Sequence, residues 1–100
     1  MAASDEDELR RKAREHGLEF VNLDETVISP SIVELLPESV ARENAVLPLG
    51  EEDGALRVVM SDPLDYDTRE KLVFILNRKI EIAVAPRPKI LESIERYYGD

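Results

Sequence analysis

Between Ala55 and Ala85 the sequence reads as a strand, a helix and a second strand. Apolar residues occupy every second position of the first and last segments, and they recur at helical spacing between them. A connection of this kind joins two parallel strands of one sheet by a right-handed crossover in nearly all known cases. The chain is therefore predicted to contain a βαβ unit in a sheet that helices cover.

The residues predicted to face the core of this unit are all apolar. They are Leu56, Val58 and Met60 in the first strand; Leu72, Val73 and Leu76, with Phe74 and Ile75 widening the face, in the helix; and Ile80, Ile82 and Val84 in the second strand.

Further elements flank this unit on both sides. They are a helix at 5–16, a strand at 20–23, a short helix with Ser29 as N-cap, another helix ending near Asn44, a strand at 46–49 and a closing helix at 88–98. Turn residues at 50–54 predict that strand 46–49 forms an antiparallel hairpin with the strand at 55–60. The predicted fold class is α/β (α+β), a small mixed sheet of three to four strands covered by about four to five helices. A chain of 100 residues is expected to hold one domain, at 17–100, preceded by a helical extension at 1–16.

The closing helix has the clearest amphipathic pattern in the chain. Its stripe consists of Ile90, Leu91, Ile94, Tyr97 and Tyr98. This pattern predicts core packing, with the tyrosine hydroxyls reaching the rim of the core. The alternative is that the two tyrosines fill a groove on a partner.

Composition excludes several classes of function. The chain has no cysteine and a single histidine, His16, so thiolate and multi-histidine metal sites are absent from the sequence. Its net charge of −9 disfavours nucleic acid, and the basic run at 10–14 is interleaved with acids as on a solvated helix. No apolar run approaches the roughly 18–20 residues that would span a bilayer, so direct membrane insertion is not expected.

The turn that leads from the first strand into the helix carries no phosphate-binding pattern. Residues 61–67 contain three aspartates, Asp62, Asp65 and Asp67, and no glycine. Such a turn repels phosphate, matches neither nucleotide-binding fingerprint and lacks the pattern of a calcium loop. The aspartates are predicted to cap the helix and to complement its dipole. We expect no ATP binding, no catalytic residue, no cofactor and no metal site.

Three stretches, taken in order, carry a resemblance to a known family. They are Gly17-Leu18-Glu19-Phe20-Val21-Asn22-Leu23; Leu36-Pro37-Glu38-Ser39-Val40-Ala41-Arg42-Glu43-Asn44-Ala45-Val46-Leu47-Pro48-Leu49; and Val59-Met60-Ser61-Asp62-Pro63-Leu64-Asp65, followed later by Ile94-Glu95-Arg96-Tyr97-Tyr98-Gly99. Over residues 16–99 the chain resembles the N-terminal domain of the type II secretion ATPase, the E protein, and of its relatives in type IV pilus assembly.

The resemblance implies a non-catalytic domain that docks an ATPase motor onto the cytoplasmic part of an inner-membrane platform protein. The chain would then lie in the cytoplasm at the inner membrane and also contact its own downstream ATPase domain. Some relatives bind cyclic di-GMP through an R-L-G motif, which would lie upstream of Gly17 and does not occur here. We therefore expect no cyclic di-GMP binding, although a cyclic di-GMP sensor and a stand-alone adaptor of another signalling or export system remain alternatives.

The helix at 5–16 has little apolar surface and strong charge, as a helix held by a partner would have. Because the resemblance places the platform contact near this region, the candidate partner-binding residues are Leu9, Arg10, Ala13 and Arg14.

Overall fold

The structure is a computed structural model that describes the backbone of residues 2–99 and the side chains of residues 6–99. The helices within this range are α1 (Ala2–Glu15), α2 (Pro30–Val33), α3 (Glu38–Asn44), α4 (Tyr66–Leu76) and α5 (Arg87–Tyr98), and the strands are β1 (Leu47–Glu52), β2 (Ala55–Met60) and β3 (Ile80–Val84). None of these helices combines the length and the apolar character that a membrane crossing needs.

The strands form a mixed sheet in the order β1-β2-β3. Strand β1 pairs with β2 in antiparallel orientation, and β2 pairs with β3 in parallel orientation, with Leu56 opposite Ile80 and Met60 opposite Val84. Helix α4 connects the two parallel strands. The predicted fold class, with its βαβ unit, is confirmed.

The predicted strand at 20–23 is reduced to a single bridge. Phe20 lies opposite Val84, and the backbone N–H of Val21 donates to the Val84 carbonyl at 2.8 Å. The pairing ends there because the side chain of Asn22 accepts a hydrogen bond from the N–H of Asp24 at 3.0 Å and starts a 3-10 turn. An asparagine side chain that accepts a hydrogen bond from a nearby backbone N–H gives that segment an alternative to the hydrogen bonds of a β-sheet.

The hairpin forms as predicted, but its connection is shorter. Gly50 and the two residues after it continue β1, so the turn consists of Asp53 and Gly54, whose φ angles are 52° and 81°. Two successive residues with positive φ are typical of the tight turns that suit the twist of a hairpin, and Asp-Gly is a favoured pair for them. The register shifts between Pro48 and Gly50, next to a proline that cannot donate a ladder hydrogen bond.

Residues on both faces of strands β2 and β3 are buried, so the core includes residues that were not predicted to face it. Val59 and Ala83 are fully buried although they lie out of phase with the predicted inward residues, whereas Ile82 is only partly buried. A strand of a small sheet that is covered on both faces loses the strict alternation of apolar and polar residues.

The outer surfaces of α4 and α5 carry apolar residues that the sequence placed in the core. Leu72 is fully buried, but Phe74 is 86% exposed and Ile75 is 45% exposed. Two helical steps turn a side chain by about 200°, so Phe74 points away from the face that Leu72 buries. Leu91 is likewise 41% exposed, beside the fully buried Ile90.

The start of α2 also differs from the prediction. Ser29 occupies the N-cap position but makes no capping hydrogen bond to the helix backbone. Its hydroxyl lies 3.1 Å from that of Ser31 instead. Pro30 at the first helical position has no N–H and a fixed φ, so this short helix starts without the cap.

Candidate functional site

The candidate partner-binding residues on α1 are not all available to a partner. Ala13 is buried, with 1% of its surface exposed, and its carbonyl accepts the Leu18 N–H at 2.8 Å. Ala13 therefore helps to pack α1 onto the rest of the domain. Leu9 is half-buried, whereas Arg10 and Arg14 are exposed. Of the four candidates, Arg10 and Arg14 are therefore exposed and Leu9 partly so, on a helix that also exposes acidic residues such as Glu8 and Glu15.

Helix α1 is held on the body of the domain by few contacts. Among its described side chains only Ala13 is buried, and the guanidinium of Arg10 lies over the ring of Phe20 at 4.1 Å from its centroid. A cation–π contact at such an exposed position contributes about 0.5–1 kcal/mol. Shallow seating of this kind leaves most of the helix surface facing outward.

The ion pairs on α1 lie along the helix itself. Arg10 pairs with Glu6 at 4.0 Å and Lys12 with Glu8 at 3.7 Å, and all four side chains are about half exposed. Each exposed pair four residues apart contributes only about 0.3–0.5 kcal/mol and weakens in salt. These weak pairs therefore leave the charged side chains of α1 able to interact with a partner protein.

A cleft of about 430 Å³ lies where the end of α1 meets strands β2 and β3 and the start of α4. The residues that line it come from these four regions: His16, Gly17, Leu18, Glu19, Arg57, Met60, Pro63, Asp65, Tyr66, Arg69, Glu81 and Ile82. The sequence did not predict this cleft. It includes the histidine that ends the predicted N-terminal helix, here just beyond α1.

Charges of both signs face the cleft. Arg57 forms an ion pair with Glu19 and lies opposite Glu81 in the parallel register of β2 and β3. Arg69 has no carboxylate within ion-pair distance among the described residues. Arg69 is thus the cleft guanidinium that has no carboxylate partner among the described residues, while Glu19, Asp65 and Glu81 give the cleft three carboxylates. A guanidinium suits an anion, and a carboxylate suits a hydrogen-bond donor.

Of the three aspartates predicted to cap α4 and complement its dipole, Asp65 is the N-cap, Asp67 lies in the first turn, and Asp62 bonds within the turn before the helix. Asp65 accepts hydrogen bonds from the Thr68 hydroxyl at 2.7 Å and from the Thr68 N–H at 3.2 Å, and these bonds lower the pKa of Asp65. Asp62 accepts the N–H of Leu64 at 2.9 Å. The described residues contain no group of three or more histidine, cysteine or acidic side chains that could hold a metal ion.

The comparison with protein families gives one match over most of the chain. The family model of the MshEN domain matches residues 16–100.

Two curated proteins illustrate the range of relatives. The type IV pilus assembly ATPase PilB of Myxococcus xanthus is 33% identical over 88 residues, which are 88% of this chain and 16% of PilB. The bacteriophage adsorption protein B of Escherichia coli K12 is 29% identical over 87 residues, which are 87% of this chain and 12% of that protein. The chain thus spans a sixth or less of the length of these relatives.

Solved structures share the fold. The structure of MshE with cdg superposes with a TM-score of 0.82 at 32% identity, over 90% of this chain and 66% of that one. The N-terminal domain of XpsE superposes with a TM-score of 0.82 at 25% identity, over 95% of this chain and 67% of that one.

Proposed function

Because the chain belongs to the MshEN domain family, we propose that it is a non-catalytic docking module that couples a type II secretion or type IV pilus assembly ATPase to an inner-membrane platform protein. The module would act in the cytoplasm at the inner face of the bacterial inner membrane, next to its own ATPase domain. Similarity to PilB, a pilus assembly ATPase, supports the link to such a motor.

The observation that carries the docking proposal is the exposed surface of α1. Arg10 and Arg14 are exposed on a helix that buries only Ala13 among its described side chains, and the Arg10 guanidinium also lies over the Phe20 ring. An interface built on such charges gains much of its binding from electrostatic attraction and loses strength as salt rises. Leu9 adds a small apolar contact at the same surface.

The test uses the purified cytoplasmic domain of the cognate platform protein. In the double variant Arg10→Glu/Arg14→Glu, two exposed contacts of about 0.7 kcal/mol each are lost, so we expect roughly tenfold weaker binding by calorimetry. Arg96→Glu is the matched control, because Arg96 is equally exposed and pairs with Glu92 on α5 at 3.6 Å. Equal affinity of the double variant and wild type, at all salt concentrations, would place docking away from α1.

A second candidate function is the sensing of cyclic di-GMP. The solved structure of MshE contains cdg, which is cyclic di-GMP, and MshE is 32% identical to this chain over 90% of its length. The cleft beside α4 presents Arg69, suited to phosphate, and Glu81, suited to the N–H groups of a guanine edge, whereas Arg57 would first have to leave its ion pair with Glu19. The 100 residues contain no R-L-G motif, so in this chain the cleft would have to hold the ligand.

Calorimetry with cyclic di-GMP separates the two functions. A dissociation constant below roughly 10 μM, about −7 kcal/mol, that is lost in Arg69→Ala and kept in Arg96→Ala would establish ligand sensing at the cleft. Absence of binding at that concentration would remove ligand sensing at the cleft and leave docking to be decided by the platform-protein experiment. The platform-protein experiment does not depend on this result, so either proposal can be contradicted without affecting the other.

A further inference from the structure

The segment from Thr26 to Leu36 crosses the surface, and its residues Ile32, Val33 and Leu35 pack partly buried against the core. It contains the short helix α2, in which no residue is buried, and Val27, which is 90% exposed. Its buried apolar anchors are Ile28 near one end and Leu36 at the other, with 4% and 1% of their surfaces exposed. We call this segment the strap.

Tyr97, in the last turn of α5, holds the first part of the strap. Its hydroxyl accepts the backbone N–H of Ile28 at 3.1 Å and lies 3.2 Å from the Thr26 carbonyl, to which it can donate. The N–H of Ile28 thus takes its acceptor from a side chain 69 residues away. The backbone N–H groups of residues 32–36 find backbone acceptors inside the strap, whereas the N–H of Ile28 depends on Tyr97.

Tyr98 holds the second part of the strap. Its hydroxyl lies 2.8 Å from the carbonyl of Leu36 and 3.1 Å from that of Val33. Burial, with a smaller effect of the Glu38 charge, raises the pKa of Tyr98 to about 12, so the hydroxyl keeps the proton that it donates. Two neighbouring side chains of one helical turn therefore satisfy backbone groups at both ends of the strap.

The other polar attachment of α5 in this region is outside the strap and exposed. Lys89 pairs with Asp24 at 3.0 Å, at the 3-10 turn, and both side chains are about half exposed. An exposed pair of this kind contributes little to stability. The tyrosine hydroxyls are thus the main polar link between α5 and the strap.

We infer that the last turn of α5 is a latch, in which Tyr97 and Tyr98 hold the strap closed and couple it to the position of that turn. Displacing the turn withdraws both hydroxyls together and frees the backbone on either side of Val27. A contact made at the end of α5 would in this way change the exposed surface around Val27. The inference does not rest on docking or on cyclic di-GMP binding.

Amide hydrogen exchange on the intact domain tests the latch. In Tyr97→Phe the Ile28 amide loses its acceptor, and we expect it to exchange about five- to tenfold faster, as the loss of one hydrogen bond implies. Amides of β2, such as that of Val59, should keep their wild-type rates. Tyr66→Phe is the matched control, because Tyr66 is 58% exposed and takes no part in the strap.

Cleavage by a glutamate-specific protease gives a second measurement on Tyr98→Phe. Glu34 lies exposed in the strap between the two carbonyls that Tyr98 contacts, so cleavage after it should accelerate, while cleavage after Glu70 on α4 should not. Unchanged exchange at Ile28 in Tyr97→Phe would overturn the latch. An equal increase in the exchange rate of the Val59 amide would also overturn it, because the tyrosines would then support only the global fold. The exchange test uses Tyr97→Phe, so it remains decisive even if Tyr98→Phe does not fold.

Discussion

Replacing Ile94 with aspartate is expected to destabilise the domain by about 3–5 kcal/mol, since the variant must bury a carboxylate or open the core around it. Ile94 is 1% exposed on the inner face of α5 and belongs to the main apolar core. A domain of this size has about 5–15 kcal/mol of total stability, so the variant should be largely unfolded at moderate temperature. Chemical denaturation followed by circular dichroism measures the effect.

The control is Leu91→Asp, on the same helix. Leu91 is 41% exposed, so its aspartate can stay hydrated and the cost should be below about 1 kcal/mol. If the two variants have equal stability, α5 does not present the face that the structure describes. An Ile94→Asp domain that melts within a few degrees of wild type would mean that this stripe faces a partner instead.

The order of elements and the family could be predicted from sequence because both depend on local patterns. Alternation in β2 and β3 and the helical spacing between them define the βαβ unit, whose handedness follows from chain geometry. The resemblance to secretion and pilus ATPase N-terminal domains is confirmed by the family match over residues 16–100. The capping role of Asp65 was also predictable, because a carboxylate three residues before Thr68 can reach its N–H.

The cleft could not be predicted because its charged residues come from separate elements. Arg57 and Glu81 lie opposite each other because of the register between β2 and β3. Glu19, which pairs with Arg57, lies in the segment that follows α1. A one-residue change in register would exchange the faces of a strand, so spacing along the chain does not fix such a constellation. The one feature of the sequence that could have indicated the cleft is Arg57, a charged residue within the apolar strand β2.

The burial of Ala13 shows a different limit. A small residue on a charged helix gives little hydrophobic signal, yet its size lets the helix approach the sheet closely. Ala13 was predicted to bind a partner because the helix at 5–16 has little apolar surface and because the family resemblance places the platform contact near it. Helix α1 contacts β3 directly, and Ala13 is buried within the domain instead.

The outward position of Phe74 leads to the last prediction, a pair of alanine substitutions on α4. Leu72→Ala removes a fully buried side chain and leaves a cavity, so it should cost about 2–5 kcal/mol. Phe74→Ala removes a larger side chain that is 86% exposed, and its cost should stay within about 0.5 kcal/mol.

Thermal denaturation distinguishes the two variants, because about 1 kcal/mol shifts the midpoint of a domain of this size by roughly 4–8 °C. We therefore expect a fall of at least about 8 °C for Leu72→Ala and almost none for Phe74→Ala. The reverse order would mean that α4 is rotated relative to the structure and that the widened apolar face predicted from sequence is the buried one. Equal large losses would mean that Phe74 is covered in solution, as a self-association interface would cover it, and sedimentation of the wild-type domain would then reveal the dimer.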